Sequence, residues 1–179
     1  THTRSSAASD VYKRQDIGIS NNKIVEIGDL KDESKETFDA KGLTVLPGCI
    51  DTQVHFREPG STDTEDLNSG SKAAVMGGIT SVFEMPNTKP PTTNFEEFDK
   101  KIKLGKRMFC NHASFFGATA ENYLTLEKLK DLKGCCGIKL FAGSSTGNLL
   151  VDKEADIEKV ISNCDRIVSI HSEDEEILN

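Results

Sequence analysis

The sequence predicts an α/β fold, namely about the first five strands of a (β/α)8 barrel of the TIM type together with the remnant of a small β-subdomain. Two observations support this prediction. From residue 43 to the end of the chain, apolar strand-like runs alternate with helix-like runs across short connections, a pattern typical of a parallel sheet with right-handed crossovers. Several of these runs end in polar side chains, as strands of barrel enzymes do at the end that carries the active site.

The first 42 residues predict two different segments. Residues 1–15 are polar and lack periodicity, and they resemble a translated sequencing adapter, so we interpret them as a non-native tail outside the fold. Residues 16–42 are turn-rich, and Asn21-Asn22 separates two apolar alternations, which predicts a β-hairpin. We expect this segment to be part of a small β-subdomain whose first strand is missing.

Residues 43–179 are predicted to form the N-terminal part of a truncated barrel. A doubly wound open sheet would show the same alternation, but it would need a glycine-rich phosphate loop after an early strand, and the sequence has none. The last strand would be an unpaired apolar edge and hence an aggregation liability. The predicted strands are Leu43–Phe56, Ile79–Met85, Ala113–Ala118, Cys136–Phe141 and Arg166–His171, and the predicted helices are Thr64–Met76, Asn94–Met108, Leu124–Leu132 and Asp152–Asn163.

Composition excludes several functional classes. The 179 residues carry a net charge of −7, which disfavours a nucleic-acid partner because no basic stripe is present to displace phosphate counterions. No run approaches the ~20 apolar residues of a membrane span, and the N-terminus lacks the apolar core of a signal peptide. The five cysteines include no Cys-x-x-Cys pair, so we predict free buried thiols in a reducing cytoplasm rather than a cysteine zinc site.

Polar side chains in two predicted strands indicate a candidate site. Gln53, His55 and Arg57 alternate along one strand and would share a face, where they cost free energy unless they bind a ligand or substrate. Lys139 lies in the middle of an apolar strand, and a buried lysine is costly unless it is paired or neutral. The alternative for Lys139 is an ammonium that reaches the rim, and His112 is interpreted as a structural residue near the third strand.

Four segments together resemble the dihydroorotases, which are metal-dependent cyclic amidohydrolases of the amidohydrolase superfamily. The resemblance extends from about residue 16 to the last residue. It implies hydrolysis or closure of a cyclic amide that carries a carboxylate, namely the interconversion of dihydroorotate and N-carbamoyl-aspartate in pyrimidine biosynthesis. The segments are Val45-Leu-Pro-Gly-Cys-Ile-Asp-Thr-Gln-Val-His-Phe-Arg-Glu-Pro-Gly60, Met85-Pro-Asn-Thr88, Gly137-Ile-Lys-Leu-Phe141 and Ile170-His-Ser-Glu-Asp174.

The resemblance also implies roles for individual residues. His55, Lys139 and His171 would bind one or two zinc ions, with Lys139 as a carbamate that bridges two metals. Arg57 and Asn87 would bind the carboxylate of the substrate. Residues 143–147 resemble a loop over the site, and the acidic residues after His171 would support the site or start a helix rather than bind metal.

One position departs from the family pattern, which reads His-x-His where this chain has Gln53-Val-His55. Three interpretations remain open: Gln53 is a weak ligand of a labile second ion, the site holds a single ion, or the protein is a non-catalytic scaffold for a partner such as aspartate transcarbamoylase. An allantoinase, dihydropyrimidinase or hydantoinase is the other alternative, although Arg57 after Phe56 and the Met-Pro-Asn-Thr run argue against it. The resemblance places the acid/base residue and a further ligand later in the family's barrel, so we expect these 179 residues alone to be inactive. A homo-oligomer or a pyrimidine-pathway enzyme is the expected protein partner.

Overall fold

The computed structural model describes residues 2–5, 15–31, 33–143, 148–174 and 177. The chain divides into two compact units, Thr1–Pro47 and Gly48–Asn179. The boundary lies five residues beyond the predicted one between residues 42 and 43, because the predicted first barrel strand begins at Cys49 rather than at Leu43. Leu43 and Leu46 are 57% and 66% exposed, so this apolar run is not part of a buried strand.

The first unit contains a four-stranded sheet. Its strands are β1 (His2–Ser5), β2 (Gln15–Ser20), β3 (Lys23–Gly28) and β4 (Thr37–Phe38), in the order β3-β2-β1-β4. The predicted hairpin is confirmed: β2 and β3 are antiparallel, and Asn21 and Asn22 between them have φ values of 50° and 61°. Two consecutive positive φ angles are typical of a tight hairpin turn, and asparagine tolerates them well.

Five residues of the predicted tail, His2–Ser5 and Gln15, take part in this sheet. His2–Ser5 pairs antiparallel with Gln15–Gly18 and parallel with Thr37–Phe38. The expectation that residues 1–15 lie outside the fold, and that the first strand is missing, therefore does not hold at these positions. Strand pairing uses backbone groups that every non-proline residue carries, so a segment without apolar periodicity can still pair. The non-native origin of the tail stays a prediction.

The second unit contains a five-stranded parallel sheet in which each strand pairs with the next one along the chain, in the order β5-β6-β7-β8-β9. A doubly wound sheet would reverse its strand order at a switch point, and this order does not reverse. The prediction of a partial barrel is thus confirmed, with β9 at one edge of the sheet. The elements are β5 (Cys49–Val54), α1 (Leu67–Met76), β6 (Ile79–Glu84), α2 (Phe95–Gly105), β7 (Asn111–Gly117), a 3₁₀ helix (Tyr123–Leu129), β8 (Cys135–Phe141), α3 (Glu154–Ser162) and β9 (Val168–His171).

Side-chain caps set where α1 and α2 begin. The predicted cap Asn94 accepts a hydrogen bond from the backbone N–H of Glu97 at 2.9 Å, and α2 follows it. Helix α1 begins at Leu67 rather than at Thr64 because Asp66 is its N-cap and accepts from the N–H of Ser69. The predicted helix 124–132 is instead a 3₁₀ helix, whose three-residue repeat places Leu126 and Leu129 on one buried face.

The core of the second unit centres on β8. Ile138 and Leu140 of this strand are fully buried and pack with Phe98 of α2, Phe116 of β7 and Val160 of α3. Because side chains on both faces of β8 are buried, the strand has the continuous apolar character of a parallel sheet covered on two sides. Lys139 is the one charged residue within this strand.

The cysteines and helices agree in part with the composition-based expectations. All five cysteines are free thiols, but only Cys135 is buried; Cys49 is exposed and the other three are partly buried. Burial raises the pKa of Cys136 to about 12 and that of Cys164 to about 11, so these two thiols are poor nucleophiles at neutral pH. No helix in the described ranges is long and apolar enough to cross a bilayer.

Candidate active site

His55 directly follows β5 and lies against Asn87 in the loop after β6. The Nδ1 atom of His55 is 2.9 Å from the carboxamide Oδ1 of Asn87. A carboxamide oxygen only accepts hydrogen bonds, so Nδ1–H of His55 donates and the lone pair of Nε2 stays free. This tautomer is the one in which a histidine can bind a metal through Nε2.

The surroundings of His55 favour its neutral form. Burial lowers the pKa of His55, the hydrogen bond to Asn87 acts in the opposite direction, and the cations of Arg57, Lys139 and Lys101 lower the pKa further. The positive charges of Arg57 and Lys139 therefore act on His55, which the fold joins by a hydrogen bond to Asn87 in the loop after β6.

Lys139 is buried without a partner. The residue is 2% exposed, and it pairs in register with Gly117 of β7 and Ser169 of β9. Its Nζ lies 5.0 Å from the centroid of the Phe141 ring, but no carboxylate or hydrogen-bond acceptor contacts it within the described ranges. Burial lowers the pKa of Lys139, which favours the neutral amine.

His171 is the last residue of β9 and lies beside Phe141. The two residues are paired in register and their ring centroids are 6.1 Å apart. The Nε2 atom of His171 is 3.2 Å from a carboxylate oxygen of Glu173. Phe141 thus lies beside both Lys139 and His171. These two candidate ligands are on the neighbouring strands β8 and β9. Residues 144–147, predicted as a loop over this site, lie outside the described residues.

Arg57 and Gln53 are both exposed. Neither side chain forms a hydrogen bond or ion pair with any residue that the structure describes. Strand β5 ends at Val54 and its pairing with β6 is irregular between Asp51 and Val54, so His55 and Arg57 lie beyond the strand. The shared face expected for Gln53, His55 and Arg57 stays a prediction. Strict alternation requires a regular strand, so it cannot place Arg57.

The loops that carry Arg57 and Asn87 are docked on one another. The backbone N–H of Lys89 donates to the carbonyl of Pro59 at 3.1 Å. Gly60, at φ +111°, approaches Lys89 so closely that an added Cβ would lie 2.5 Å from the carbonyl oxygen of Lys89. Only glycine fits such an approach with a positive φ. Buried Glu58 secures the first loop because it accepts from the N–H of Leu67 at 3.0 Å and pairs with Arg107.

A buried polar network beneath the Asn87 loop is not among the predicted site residues. Glu84 at the end of β6 contacts His112 of β7 at 3.0 Å and Lys101 of α2 at 3.3 Å. This contact agrees with a structural role for His112. The sequence does carry a signal for Lys101: Phe98, Lys101 and Gly105 follow the spacing of one helix face, and all three are buried.

The described residues fit part of a metal site. His55 presents a free Nε2, and Lys139 and His171 lie on the adjoining strands β8 and β9. A catalytic zinc site usually has three protein ligands, yet no group of three or more His, Cys, Asp or Glu side chains is placed to hold an ion in the part of the chain that the structure describes. Lys139 would have to complete such a set.

The chain is similar to several cyclic amidohydrolases. It is 38% identical over 167 residues to a dihydroorotase from Methanosarcina mazei, covering 90% of this chain and 36% of that protein. It is 41% identical over 135 residues to an allantoinase from Rubrobacter xylanophilus, covering 74% of this chain and 29% of that protein. The chain thus spans about a third of the length of these curated relatives.

A solved structure shares the fold. The L-hydantoinase (dihydropyrimidinase) from Arthrobacter aurescens superimposes with a TM-score of 0.85 at 28% identity, over 98% of this chain and 40% of that one. In addition, residues 44–168 match the model of the amidohydrolase family. This match includes His55, Arg57, Asn87 and Lys139. The chain therefore belongs to the amidohydrolase family.

Proposed function

We propose that this chain is part of a dihydroorotase, a metal-dependent hydrolase that interconverts dihydroorotate and N-carbamoyl-aspartate. The observation that carries the proposal is the hydrogen bond between His55 and Asn87, together with the charges of Arg57 and Lys139 that act on the same histidine. Of these four residues, His55 has a free Nε2 for a metal, Arg57 and Asn87 suit a carboxylate, and Lys139 is a buried lysine without a polar partner among the described residues. The 36–47% identity to several dihydroorotases supports the same substrate class.

Arg57 and Asn87 would bind the carboxylate of the substrate. The guanidinium of Arg57 is free of intramolecular partners among the described residues, and its planar fork matches a carboxylate with two charge-assisted hydrogen bonds. Asn87 uses its Oδ1 to accept from His55, which leaves its amide Nδ2–H to donate to substrate. Asn87 would therefore link the metal ligand to the substrate.

His55, Lys139 and His171 would hold the metal. Family membership implies a metal cofactor, and we propose one or two zinc ions. When bound, the metal polarises the ring carbonyl and lowers the pKa of its water toward neutrality. Burial lowers the pKa of Lys139, which favours the neutral amine that carbamylation requires: its nitrogen would bond to the carbon of carbon dioxide and lose a proton, which converts a poor ligand into an anionic oxygen ligand.

Gln53 determines how complete this site is. A carboxamide oxygen is a weaker zinc ligand than imidazole, and the exposed Gln53 side chain has no hydrogen bond to a described residue that would position it. We propose that Gln53 is a weak ligand of a second zinc ion, so that this ion is easily lost. Metal analysis of the full-length protein and of its Gln53→His variant tests this: the variant should retain about one more zinc ion per chain after dialysis. Equal metal content in both would favour a single-ion site, and no metal in either would favour a non-catalytic scaffold.

The activity assay is interconversion of dihydroorotate and N-carbamoyl-aspartate by the full-length protein, supplied with zinc and bicarbonate. We expect turnover that is lost on changing Arg57 or Lys139. The 179-residue chain alone should show none above a metal-only blank. A folded, metal-loaded full-length protein without turnover would contradict the proposal.

A hydantoinase or allantoinase activity is the second candidate, because the L-hydantoinase structure superimposes over nearly the whole chain. Allantoin and hydantoins lack the ring carboxylate that we propose Arg57 binds. Parallel assays with allantoin, a 5-substituted hydantoin and dihydrouracil would therefore separate the candidates. Faster turnover of any of these than of dihydroorotate would favour the second candidate. A cytoplasmic location and association with itself or with another pyrimidine-pathway enzyme remain part of the proposal.

A further inference from the structure

Lys101 is a buried cation with a full set of partners. It is 1% exposed, and its Nζ donates to the carbonyl of Met85 at 2.8 Å and to the hydroxyl of Thr88 at 3.4 Å. The third contact is an ion pair with Glu84 Oε1 at 3.3 Å. Two of the three N–H donors of the ammonium are thus used in hydrogen bonds, and the third contact is electrostatic.

Two of these partners, Met85 and Thr88, flank Asn87 in the sequence. Met85 and Thr88 lie on either side of the Pro86-Asn87 dipeptide, and both are themselves buried. The hydroxyl of Thr88 donates to the carbonyl of Pro90 at 2.9 Å, and its backbone N–H donates to the carbonyl of Pro86 at 2.9 Å. Lys101 therefore contacts both the start of this turn, at Met85, and its end, at Thr88.

Helix α2, β6 and β7 hold the Lys101 side chain in place. Glu84 Oε2 accepts from His112 Nε2 at 3.0 Å, and Glu84 Oε1 has no hydrogen-bond partner among the described residues, which leaves Lys101 as its compensating charge. The ring of His112 in turn packs against Gly105, where an added Cβ would lie 2.1 Å from Nδ1. Through Lys101, the turn that carries Asn87 is thus connected to α2, β6 and β7.

We infer that Lys101 is a positioning residue that holds Asn87 in the orientation needed to bind the carboxylate of the substrate. The inference rests on the proposed function, because it concerns the substrate group that Asn87 recognises. Asn87 has a short side chain, so a shift of its backbone would move the carboxamide away from both His55 and the substrate. A displacement of about 1 Å in a positioning group can cost a large factor in rate or binding.

The test is a double-mutant cycle in the full-length, metal-loaded protein. The first arm replaces the ion pair with the neutral pair Glu84→Gln and Lys101→Met, so that no uncompensated charge stays buried. We expect the KM for dihydroorotate to rise at least tenfold, by a larger factor than kcat falls. In an Asn87→Ala background the same pair of substitutions should change KM less than twofold. Equal effects in the two backgrounds would overturn the inference, because a general structural role does not depend on Asn87.

Two further variants keep the test decisive. Lys100→Met removes a neighbouring, exposed lysine of the same helix and should leave KM unchanged. Thr88→Val removes one partner of Lys101 with little change in volume, and it should raise KM two- to fivefold even where the double variant folds poorly. An unchanged KM in a folded Thr88→Val protein would also contradict the inference.

Hydrogen–deuterium exchange separates this inference from the proposed function, since it needs no substrate. The backbone N–H groups of Thr88 and Lys89 are bonded to Pro86 and Pro59, and they should exchange at least tenfold faster in the double variant than in wild type or Lys100→Met. Absence of wild-type turnover would refute the proposed function alone. Unchanged exchange in the peptide 85–93 would refute the role of Lys101.

Discussion

Two lysines of the barrel unit are almost equally buried, but their surroundings differ. Lys101 is 1% exposed and Lys139 is 2% exposed. Lys101 has a carboxylate, a carbonyl and a hydroxyl as partners, whereas Lys139 has only the ring of Phe141 within the described ranges. Burial lowers the pKa of both, and Glu84 opposes this effect only at Lys101.

This difference separates a lysine that maintains the structure from one that is available for chemistry. A buried ammonium without partners costs free energy, and a fold tolerates such a cost mainly at functional sites. A buried ammonium with three partners instead fixes the elements that supply them. The comparison teaches that the partners of a buried charge, rather than its burial, indicate its role.

Substitution of Lys139 should have the largest effect, and the effect should be on activity. We expect Lys139→Met to reduce kcat/KM of the full-length enzyme by about four orders of magnitude, or ~5 kcal/mol of transition-state stabilisation, since a metal ligand would be lost. Stability should not fall, because an apolar side chain of similar length replaces an unpaired amine. Steady-state kinetics and thermal unfolding measure the two effects. A variant with near-wild-type turnover would refute a metal-binding role for Lys139.

The corresponding change at Lys101 should act on stability. Lys101→Met leaves the buried carboxylate of Glu84 without its cation, so we expect the free energy of unfolding to fall by about 3–5 kcal/mol. Lys100→Met, on the exposed face of α2, should change it by less than about 0.5 kcal/mol. Urea denaturation of the three full-length proteins gives these values. A small loss for Lys101→Met would mean that Glu84 takes up a proton or finds another partner.

The sequence predicted the barrel unit well because its signals are local. Apolar runs, a capping asparagine and terminating glycines marked each strand and most helices, and sequential strand order followed from short connections. It did not predict where β5 starts and ends, since Leu43 and Leu46 are apolar but exposed, and the irregular pairing near Gln53 depends on β6. Pairing of His2–Ser5 was missed because it uses backbone groups alone.

The candidate site was only partly predictable for a similar reason. His55, Arg57, Asn87 and Lys139 lie in segments with a recognisable family pattern. The Lys101–Glu84–His112 network joins α2, β6 and β7, so no short segment of sequence contains it. Helical spacing marks Lys101 as a charged residue on an apolar face, but only the fold shows that Glu84 and the Asn87 loop are its partners.

Arg57 adds a third cation to the comparison of Lys101 with Lys139. It is exposed and forms no ion pair with a described residue. We expect Arg57→Met to raise the KM for dihydroorotate about 10–100-fold, which corresponds to hydrogen bonds to a charged group worth ~1.5–3 kcal/mol. Arg57→Lys should lose less, since it keeps the charge but not the planar fork. Stability should change little in either case. Initial-rate measurements over a range of dihydroorotate concentrations test this, and an unchanged KM would exclude Arg57 from carboxylate binding.

The smallest expected effect is a difference in how stability depends on pH. The unfolded chain keeps the Lys101 proton up to about its ordinary pKa of 10.5, whereas burial lowers the pKa in the folded state. Between these two values the unfolded state binds more protons, so the free energy of unfolding rises with pH, by at most about 1.4 kcal/mol per pH unit. This contribution should be absent from the Glu84→Gln, Lys101→Met double variant, in which Lys139 is unchanged.

Lys100 provides the matched control for this measurement. Its hydrogen bonds to Glu96 and Glu97 raise its pKa, so it stays protonated in both states throughout that window, and Lys100→Met should keep the wild-type slope. Urea denaturation between pH 8 and pH 10 would compare the three slopes in the full-length protein. If the double variant keeps the wild-type slope, the Glu84 carboxylate outweighs burial and holds the proton on Lys101. The two buried lysines would then differ in how burial acts on their protons as well as in their partners, which would make Lys139 the more distinctive of the two.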